Sequence, residues 1–279
     1  MLDNAPYLSH QHRALTIEGY SRAAVQSYWR IPELRIGFDL GAQPWDFMGT
    51  PMWAISHSHL DHIAALPVYL ARRRMMKMEM PTIYLPAESL PNVESMLKAV
   101  TRLDRGRLPR NLVPVEPGQE IELSRELVMT VHKTSHTVPS VGYLVWERRK
   151  KLKPEFQNLS GPEIRDLRLS GVEISAERRF PLIGYTGDTS PAGLDNNPQF
   201  YECQILITEM TFVSAKHRKE KIHKHGHMHL DDLVARRELF QNELLVVSHF
   251  SVRYNSKQIT HIVEKKIPDM MNGKLKIWV

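Results

Sequence analysis

Short apolar runs alternate with helical patterns along the chain, and this alternation predicts an α/β protein. The strand-like runs are rich in β-branched and aromatic residues and are bounded by Gly, Pro or polar residues. They cover residues 34–40, 51–55, 82–85, 120–131, 141–147, 181–185, 205–208, 244–248 and 275–279. Because the runs group in each half of the chain, we expect two sheets with helices outside them.

Apolar residues at helical spacing predict helices between these strands. The predicted helices span residues 63–76, 93–103, 230–240 and 258–266. Pro67 falls inside the first of them. Since proline is tolerated only in the first turn of a helix, that helix must begin close to Pro67.

The segment 147–180 differs from the rest because it is polar, basic and broken by glycines. It opens with Arg148-Arg149-Lys150-Lys151-Leu152-Lys153 and contains one helical stretch at 163–168. We expect an arm-like insertion in a single domain that spans residues 1–279. Two interpretations stay open, a solvated surface excursion and an arm that grips a substrate.

Charge and cysteine content narrow the class of protein. The formal charge of +6 and the pI of about 9.3 suit a polyanionic partner such as RNA, although many basic proteins bind no nucleic acid. Cys203 is the one cysteine, which excludes an intrachain disulfide and favours a reducing compartment. The N-terminal residues lack a signal-peptide layout, and no apolar stretch approaches the roughly 20 residues that span a bilayer. We therefore expect a cytoplasmic protein with no membrane partner.

The stretch Ser56-His57-Ser58-His59-Leu60-Asp61-His62 carries the strongest chemical signal. Unpaired buried polar groups cost free energy, so such crowding of imidazoles and a carboxylate is typical of a metal site. Catalytic zinc sites use these ligands and leave a position for water. Four candidate ligands on one short loop cannot all reach one ion without strain, so the motif predicts two ions about 3.5–4 Å apart. The alternative is a surface histidine cluster with no role.

Two ions need more ligands, and three strand-like runs lead into further candidates, which are His136, Asp188 and His249. Rigid elements project side chains into sites from such positions. Each residue alone is a weak signal, because a lone histidine beside a strand is more often structural. Their order after the histidine-rich stretch makes the set specific.

In this order the residues resemble the metallo-β-lactamase superfamily. The resemblance implies a four-layer αβ/βα sandwich, in which two mixed β-sheets flanked by helices hold a dinuclear site between them. It divides the ligands between two metals: His57, His59 and His136 on one, Asp61, His62 and His249 on the other, and Asp188 on both. We expect two divalent ions, zinc in the first place, with manganese or iron as alternatives that these ligands do not separate.

Three further local sequences resemble the ribonuclease Z family, which removes the 3′ trailer of precursor tRNA. They are Thr208-Glu209-Met210-Thr211-Phe212, Gly226-His227-Met228-His229 and Ser248-His249-Phe250-Ser251-Val252-Arg253-Tyr254. The Leu-Ser-Gly sequences at 159–161 and 169–171 are most similar to the short form found in plants. This resemblance implies an endoribonuclease acting on precursor tRNA as a homodimer. The chain departs from the family in its N-terminal loop, in its arm and at Met228-His229.

Four residues receive roles from this resemblance and from chemistry. Asp61 lies beside the attacking water and is the predicted base. His227 is the predicted proton donor to the leaving 3′ oxygen, with Glu209 orienting its ring; the alternative is a histidine-rich surface loop. Arg253 either grips a phosphate or pairs with a carboxylate. A basic stretch precedes His227 and would attract RNA: Lys216, Arg218, Lys219, Lys221 and Lys224.

Two other functions compete with this hypothesis. The first is a metal-dependent hydrolase of small molecules on the same fold, such as a cyclic-nucleotide phosphodiesterase, a lactonase or an aryl-sulfatase. The second is a nucleic-acid-binding module with a relict site, which the complete set of ligands disfavours. An oxygen-reducing di-iron protein is disfavoured because such relatives usually have Glu at the position of His59.

Overall fold

The computed structural model describes residues 5–215 and 218–279, and the strands within these residues form two seven-stranded sheets. The first sheet follows the chain order: β1 (Leu8–His12), β2 (Leu15–Arg22), β3 (Gln26–Ile31), β4 (Ile36–Leu40), β5 (Met52–Ala54), β6 (Thr82–Pro86) and β7 (Asn111–Val115). Strands β1 to β4 pair antiparallel, whereas β4 to β7 pair parallel.

The second sheet repeats this topology with the C-terminal strands. Its members are β8 (Glu120–Glu122), β9 (Leu127–Lys133), β10 (Val141–Leu152), β11 (Ser175–Tyr185), β12 (Ile205–Glu209), β13 (Leu244–Ser248) and β14 (Leu275–Ile277). Strands β8 to β11 pair antiparallel and β11 to β14 pair parallel. Both sheets are therefore mixed, as the resemblance implied.

Most helices lie in the connections between parallel strands, and one helix, at Gly161–Leu169, lies within the arm. The helices are α1 (Leu60–Ile63), α2 (Leu66–Met75), α3 (Leu90–Asp104), α4 (Gly161–Leu169), α5 (Pro191–Asp195), α6 (Gln199–Glu202), α7 (Lys219–Lys224), α8 (Leu230–Ala235) and α9 (Ser256–Lys266). Pro67 lies in the first turn of α2, as predicted. None of the helices seen in 5–215 and 218–279 combines the length and apolarity that a membrane crossing requires.

Three apolar clusters hold these elements in four layers. The central cluster joins the facing sides of the two sheets, with Trp29 and Phe38 from the first sheet and Tyr143 from the second, all without exposed surface. A second cluster packs α2 and α3 against the outer side of the first sheet. A third packs α8 and α9 against the outer side of the second sheet. This helix–sheet–sheet–helix order confirms the predicted αβ/βα sandwich, and each large buried side chain contributes roughly 1.5–3 kcal/mol.

Several predicted elements differ from the structure. The strands predicted at 141–147 and 181–185 extend into the arm as β10 (Val141–Leu152) and β11 (Ser175–Tyr185). The run 120–131 is a hairpin of β8 and β9, because the Ser124 hydroxyl accepts hydrogen bonds from the backbone N–H groups of Glu126 and Leu127 and closes a turn. The helix predicted at 230–240 ends at Ala235. The α-helix ends there because the backbone N–H groups of Arg236, Arg237 and Leu239 donate to carbonyls three residues back, which is the pattern of a turn.

Candidate active site

The candidate ligands follow strands whose ends meet at one edge of the sandwich. Four of them follow β5, one follows β9, one follows β11 and one follows β13: His57, His59, Asp61 and His62, then His136, Asp188 and His249. Parallel strands place their carboxyl ends together, and open α/β sheets bind ligands at that edge. The fold thus collects side chains that lie up to 192 residues apart in the sequence.

Three imidazoles converge at one end of the cluster. His59 Nδ1 lies 3.2 Å from His57 Nε2 and 3.1 Å from His136 Nε2. Asp188 Oδ2 lies 3.8 Å from His57 Nε2 and 3.9 Å from His136 Nε2. One ligand atom from each of these side chains lies within 4.8 Å of the others. A single metal ion could contact all four.

A second group lies at the other end. His62 Nε2 lies 3.3 Å from His249 Nε2, and Asp61 Oδ2 lies 3.7 Å and 3.6 Å from these two nitrogens. Asp188 Oδ2 lies 3.5 Å from His62 Nε2, so its carboxylate reaches both groups. The backbone N–H of Ala24, at the β2–β3 turn, donates to Asp61 Oδ2 at 2.9 Å.

Asp39 anchors the cluster from outside, and sequence reasoning missed it. This buried carboxylate lies 2.6 Å from His62 Nδ1 and accepts hydrogen bonds from the Tyr185 hydroxyl at 2.5 Å and the Ser56 hydroxyl at 2.8 Å. Ser56 Oγ in turn contacts His57 Nδ1 at 3.0 Å. The sequence did contain an indication that Asp39 has a buried polar role, because it is the one charged residue in the apolar run 36–40.

His136 and His249 are held in the same way. His136 Nδ1 donates to the Gly226 carbonyl at 3.0 Å, and His249 Nδ1 lies 3.2 Å from Thr211 Oγ1. Gly226 has a φ of 69°, and a Cβ there would lie 2.5 Å from His136 Cα, so only glycine fits. With one ring nitrogen bound outside the cluster, the other is left as a ligand atom, as in metal-binding histidines.

Asp188 gives the clearest indication that the cluster fits a cation. It follows Gly187, which has a φ of 59°, and only 3% of its surface is exposed. Its Oδ1 is buried without a hydrogen-bond partner among residues 5–215 and 218–279, although His249 Nδ1 lies 3.4 Å away. A buried, unsatisfied carboxylate oxygen is destabilising unless an ion or another partner binds it. The His and Asp donor set is the one that zinc and similar divalent ions prefer.

Electrostatics favour the protonation states that metal binding requires at His57, Asp61 and Asp188, whereas at His62 they favour the protonated form. Burial lowers the pKa of His57 well below its ordinary value, which keeps the imidazole neutral. Burial alone would raise the pKa of Asp188, but His249 and His62 hold it well below its usual range. Burial likewise opposes protonation of His62, yet Asp188 and Asp39 raise its pKa well above 6.5. Asp61 stays ionised because hydrogen bonding to His249 outweighs burial and lowers its pKa to about 2.

His227 and Glu209 form an acid–base pair beside the cluster. Glu209 is buried, and its Oε1 lies 2.9 Å from His227 Nδ1. The backbone N–H groups of Thr189 and Thr211 also donate to this carboxylate, so it is fixed in place. Burial lowers the pKa of His227, but the Glu209 carboxylate more than offsets this and raises it to about 9. The structure thus brings together both residues of the predicted pair.

A cavity of about 550 Å³ opens beside this pair, and we call it the basic cavity. Its lining includes two candidate ligands, His59 and His136, and a group of aromatic and cationic side chains: Phe212, Arg218, Lys221, His225, His227 and Arg253. The Arg253 guanidinium lies 5.8 Å from the Phe212 ring centroid, and within 5–215 and 218–279 no carboxylate pairs with it. This position favours the phosphate-binding alternative for Arg253.

Several other side chains of the basic, histidine-rich stretch have structural partners. Lys219 pairs with Asp231 at 3.2 Å and His223 with Asp232 at 2.8 Å. His229 caps α8, because its side chain accepts a hydrogen bond from the Asp231 backbone N–H. Lys216 lies outside the described residues. Lys224 is exposed at the end of α7, so the predicted basic stretch is divided among the cavity, these contacts and the open surface.

Comparisons with known proteins agree with this geometry. A family model for the beta-lactamase superfamily domain matches residues 53–250. A tRNase Z of Arabidopsis thaliana is 36% identical over 261 residues, which cover 93% of this chain and 93% of the relative. The chain belongs to the tRNase Z family. The family predicted from the sequence is therefore confirmed.

Two further similarities support this membership and the fold. The chloroplastic tRNase Z of Arabidopsis thaliana is 33% identical over 251 residues, covering 89% of this chain and 71% of the relative. The structure of the metallo-beta-lactamase fold protein YhfI from Bacillus subtilis matches 95% of this chain and 87% of its own, with a TM-score of 0.59 and 14% identity. The latter shows the fold alone. Membership in the tRNase Z family, together with the His and Asp cluster, implies divalent metal ions.

Proposed function

We propose that this protein is a metal-dependent endoribonuclease that removes the 3′ trailer of precursor tRNA. The observation that carries the proposal is the cluster of His and Asp side chains, anchored from outside and opening on a cavity lined by cations. A phosphodiester substrate is favoured over a lactone because the proton-donor pair His227–Glu209 and the cations Arg218, Lys221 and Arg253 all lie on this side.

We assign the metals as the resemblance implied. His57, His59 and His136 would hold one ion, Asp61, His62 and His249 the other, and Asp188 both. When bound, such ions supply Lewis acidity to phosphoryl oxygens and lower the pKa of water. Zinc is the proposed metal, with manganese or iron as alternatives that the same ligands accept.

His227 would protonate the leaving 3′ oxygen. Water attacks the phosphorus, the bond from phosphorus to the 3′ oxygen breaks, and the trailer keeps the phosphate at its 5′ end. The leaving oxygen takes the proton from His227, which solvent then restores. A pKa of about 9 keeps His227 protonated at neutral pH, and Glu209 fixes the ring in place.

Asp61 would act on the attacking water. Its carboxylate lies next to His62 and His249, and the Ala24 N–H fixes one of its oxygens. The role of base stays a prediction. A pKa of about 2 suits accepting a hydrogen bond from water better than removing its proton near pH 7.

The deciding experiment is cleavage of a precursor tRNA with a 3′ trailer by zinc- or manganese-loaded protein, beside an Asp188→Ala control. We expect one metal-dependent cut at the start of the trailer, absent in the control. If only a small chromogenic phosphodiester is hydrolysed, the metal site stands and the tRNA substrate is wrong.

Three further features belong to this proposal. We propose that the chain acts as one domain, with the arm at 147–180 binding substrate, that it forms a homodimer, and that it works in the cytoplasm. The lone, buried Cys203 is consistent with a reducing compartment. Light scattering tests the dimer, and a fluorescent fusion tests the location.

A further inference from the structure

Two cavities adjoin His136, and their charges differ. Among the described residues, the lining of the basic cavity includes Arg218, Lys221 and Arg253 and no carboxylate. The other cavity, of about 620 Å³, is lined by Glu88 and Glu116 together with Lys133. A phosphate group next to the scissile bond is attracted to the basic cavity and repelled by the two carboxylates of the other.

The chemistry of the cut gives the basic cavity a direction along the RNA. The leaving 3′ oxygen stays on the ribose of the nucleotide that precedes the cut. His227, the proposed donor to that oxygen, lines the basic cavity and contacts the rings of His136 and His249. The ribose of this nucleotide must therefore lie at the His227 end of the cavity.

The walls of the cavity suit the remaining parts of one nucleotide. Phe212 is half-buried, with the Arg253 guanidinium over its ring, and such aromatic–arginine surfaces stack bases. Arg218 and Lys221 are exposed, and among the residues that the structure describes neither has a carboxylate within 4.0 Å. Their charges are thus available to a phosphate.

We propose that the basic cavity binds the last nucleotide of the mature RNA, with its base against Phe212 and its 5′ phosphate on Arg218 and Lys221. This inference rests on the proposed function and deepens it. It makes these three side chains the contacts that hold the product end while the trailer leaves.

The test is a double-mutant-type cycle, in which a change in the protein and a change in the substrate are made separately and together, and their effects on kcat/KM are compared. Arg218→Gln/Lys221→Gln is combined with a precursor whose phosphate 5′ of the last mature nucleotide is a neutral methylphosphonate. We expect each change alone to lower kcat/KM about tenfold, and the combination to lower it little further. A methylphosphonate between the first two trailer nucleotides should instead combine multiplicatively with the variant.

Lys257→Gln/Lys265→Gln is the matched control, because it removes two exposed lysine charges from α9. It should combine multiplicatively with both modified substrates. A second cycle pairs Phe212→Leu with an abasic last mature nucleotide. Phe212→Tyr should retain the activity that Phe212→Leu loses, because it keeps an aromatic ring.

The outcomes separate this inference from the proposed function. In one outcome, wild-type protein cleaves the precursor, but the effects of the Arg218/Lys221 variant and of the mature-side methylphosphonate multiply. This outcome would overturn the nucleotide assignment alone. Non-additivity with the trailer-side methylphosphonate would reverse the direction of the RNA and also overturn it. Wild-type protein that does not cleave the precursor would overturn the proposed function, and the inference with it.

Discussion

The candidate metal centre (the seven candidate ligands with the side chains that anchor them) and the arm both contain many polar and charged side chains. The two regions compensate these charges in different ways. In the metal centre, buried groups hold one another through partners such as Asp39, Glu209 and Gly226, and the inner ligand atoms stay turned toward one another. In the arm, formed by the extended ends of β10 and β11 with α4, most side chains are exposed. Their charges pair on the surface.

The pairing in the arm follows from its register. Arg148 lies opposite Arg179, and like charges in directly opposed positions destabilise a sheet. Glu122 binds Arg148 at 2.7 Å, while Glu120 and Glu177 bind Arg179 at 2.5 and 2.8 Å. Residues 147–180 hold nine Lys or Arg against six Asp or Glu, so their formal charge overstates what is free to attract RNA. A buried site can thus be preorganised by its contacts, whereas an exposed charged segment uses part of its charge on itself.

The largest effect should come from the carboxylate shared by both ends of the metal centre. Asp188→Ala removes a side chain that lies within 4 Å of ligand nitrogens from both histidine groups. We expect cleavage of precursor tRNA to fall by at least about 10³-fold, because two-metal catalysis loses its geometry. Bound metal, measured by elemental analysis, should fall below two ions per chain. Full metal content with wild-type activity would contradict the assignment.

Removing the proposed proton donor, His227, should impair the chemical step and leave metal binding intact. His227→Ala should lower kcat on precursor tRNA by about 10²–10⁴-fold, the range of general acid catalysis. A substrate with a p-nitrophenolate leaving group needs no proton, so its hydrolysis should fall far less. Glu209→Gln should show the same contrast in weaker form. Equal losses on both substrates would argue that His227 does not donate the proton.

The sequence predicted many of the strands that carry the candidate metal centre. Apolar runs located the parallel strands β4, β5, β6, β12 and β13 and the buried end of β11, because strands that are buried on both faces have near-continuous apolar sequences. Strand β14 was also located, although its Lys276 is exposed. Strand β7 was missed since Pro114 interrupts its run. Strands β1, β2 and β3 were missed because hairpins with one polar face give a weaker pattern.

The candidate ligands could be predicted because histidines and carboxylates crowded into one short loop are typical of metal sites. The anchoring contacts could not, since they join distant residues: Asp39 with His62, and Gly226 with His136. The same limit applies to charge. Sequence alone could not show that Lys219 forms an ion pair with Asp231, whereas Arg218 and Lys221 line a cavity.

Shortening the arm should weaken binding while the metal centre stays loaded. Arg149 and Arg178 are register partners, so residues 150–177 can be replaced by Asn-Gly, which closes a two-residue hairpin. If the arm binds substrate, KM for precursor tRNA should rise about 10–100-fold, with little change in kcat or in bound metal. The salt dependence of KM should also become shallower, because fewer phosphate contacts remain. An unchanged KM would reduce the arm to a surface excursion.

The smallest effect concerns the ion pairs at the base of the arm. The Arg179 hydrogen bond lowers the pKa of Glu120 below its ordinary value of 4.5, so the folded state favours ionised Glu120. The stabilisation is present above pH 4.5 and is lost as the pH falls through the lowered value. Because both side chains are largely exposed, Glu120→Gln should lower the free energy of unfolding by no more than about 0.5 kcal/mol at pH 7, measured by urea unfolding. The difference from wild type should shrink in 1 M salt and disappear as the pH falls through the lowered pKa of Glu120. A larger loss that persists in salt would mean that Glu120 stabilises the β8–β9 hairpin by packing instead of charge.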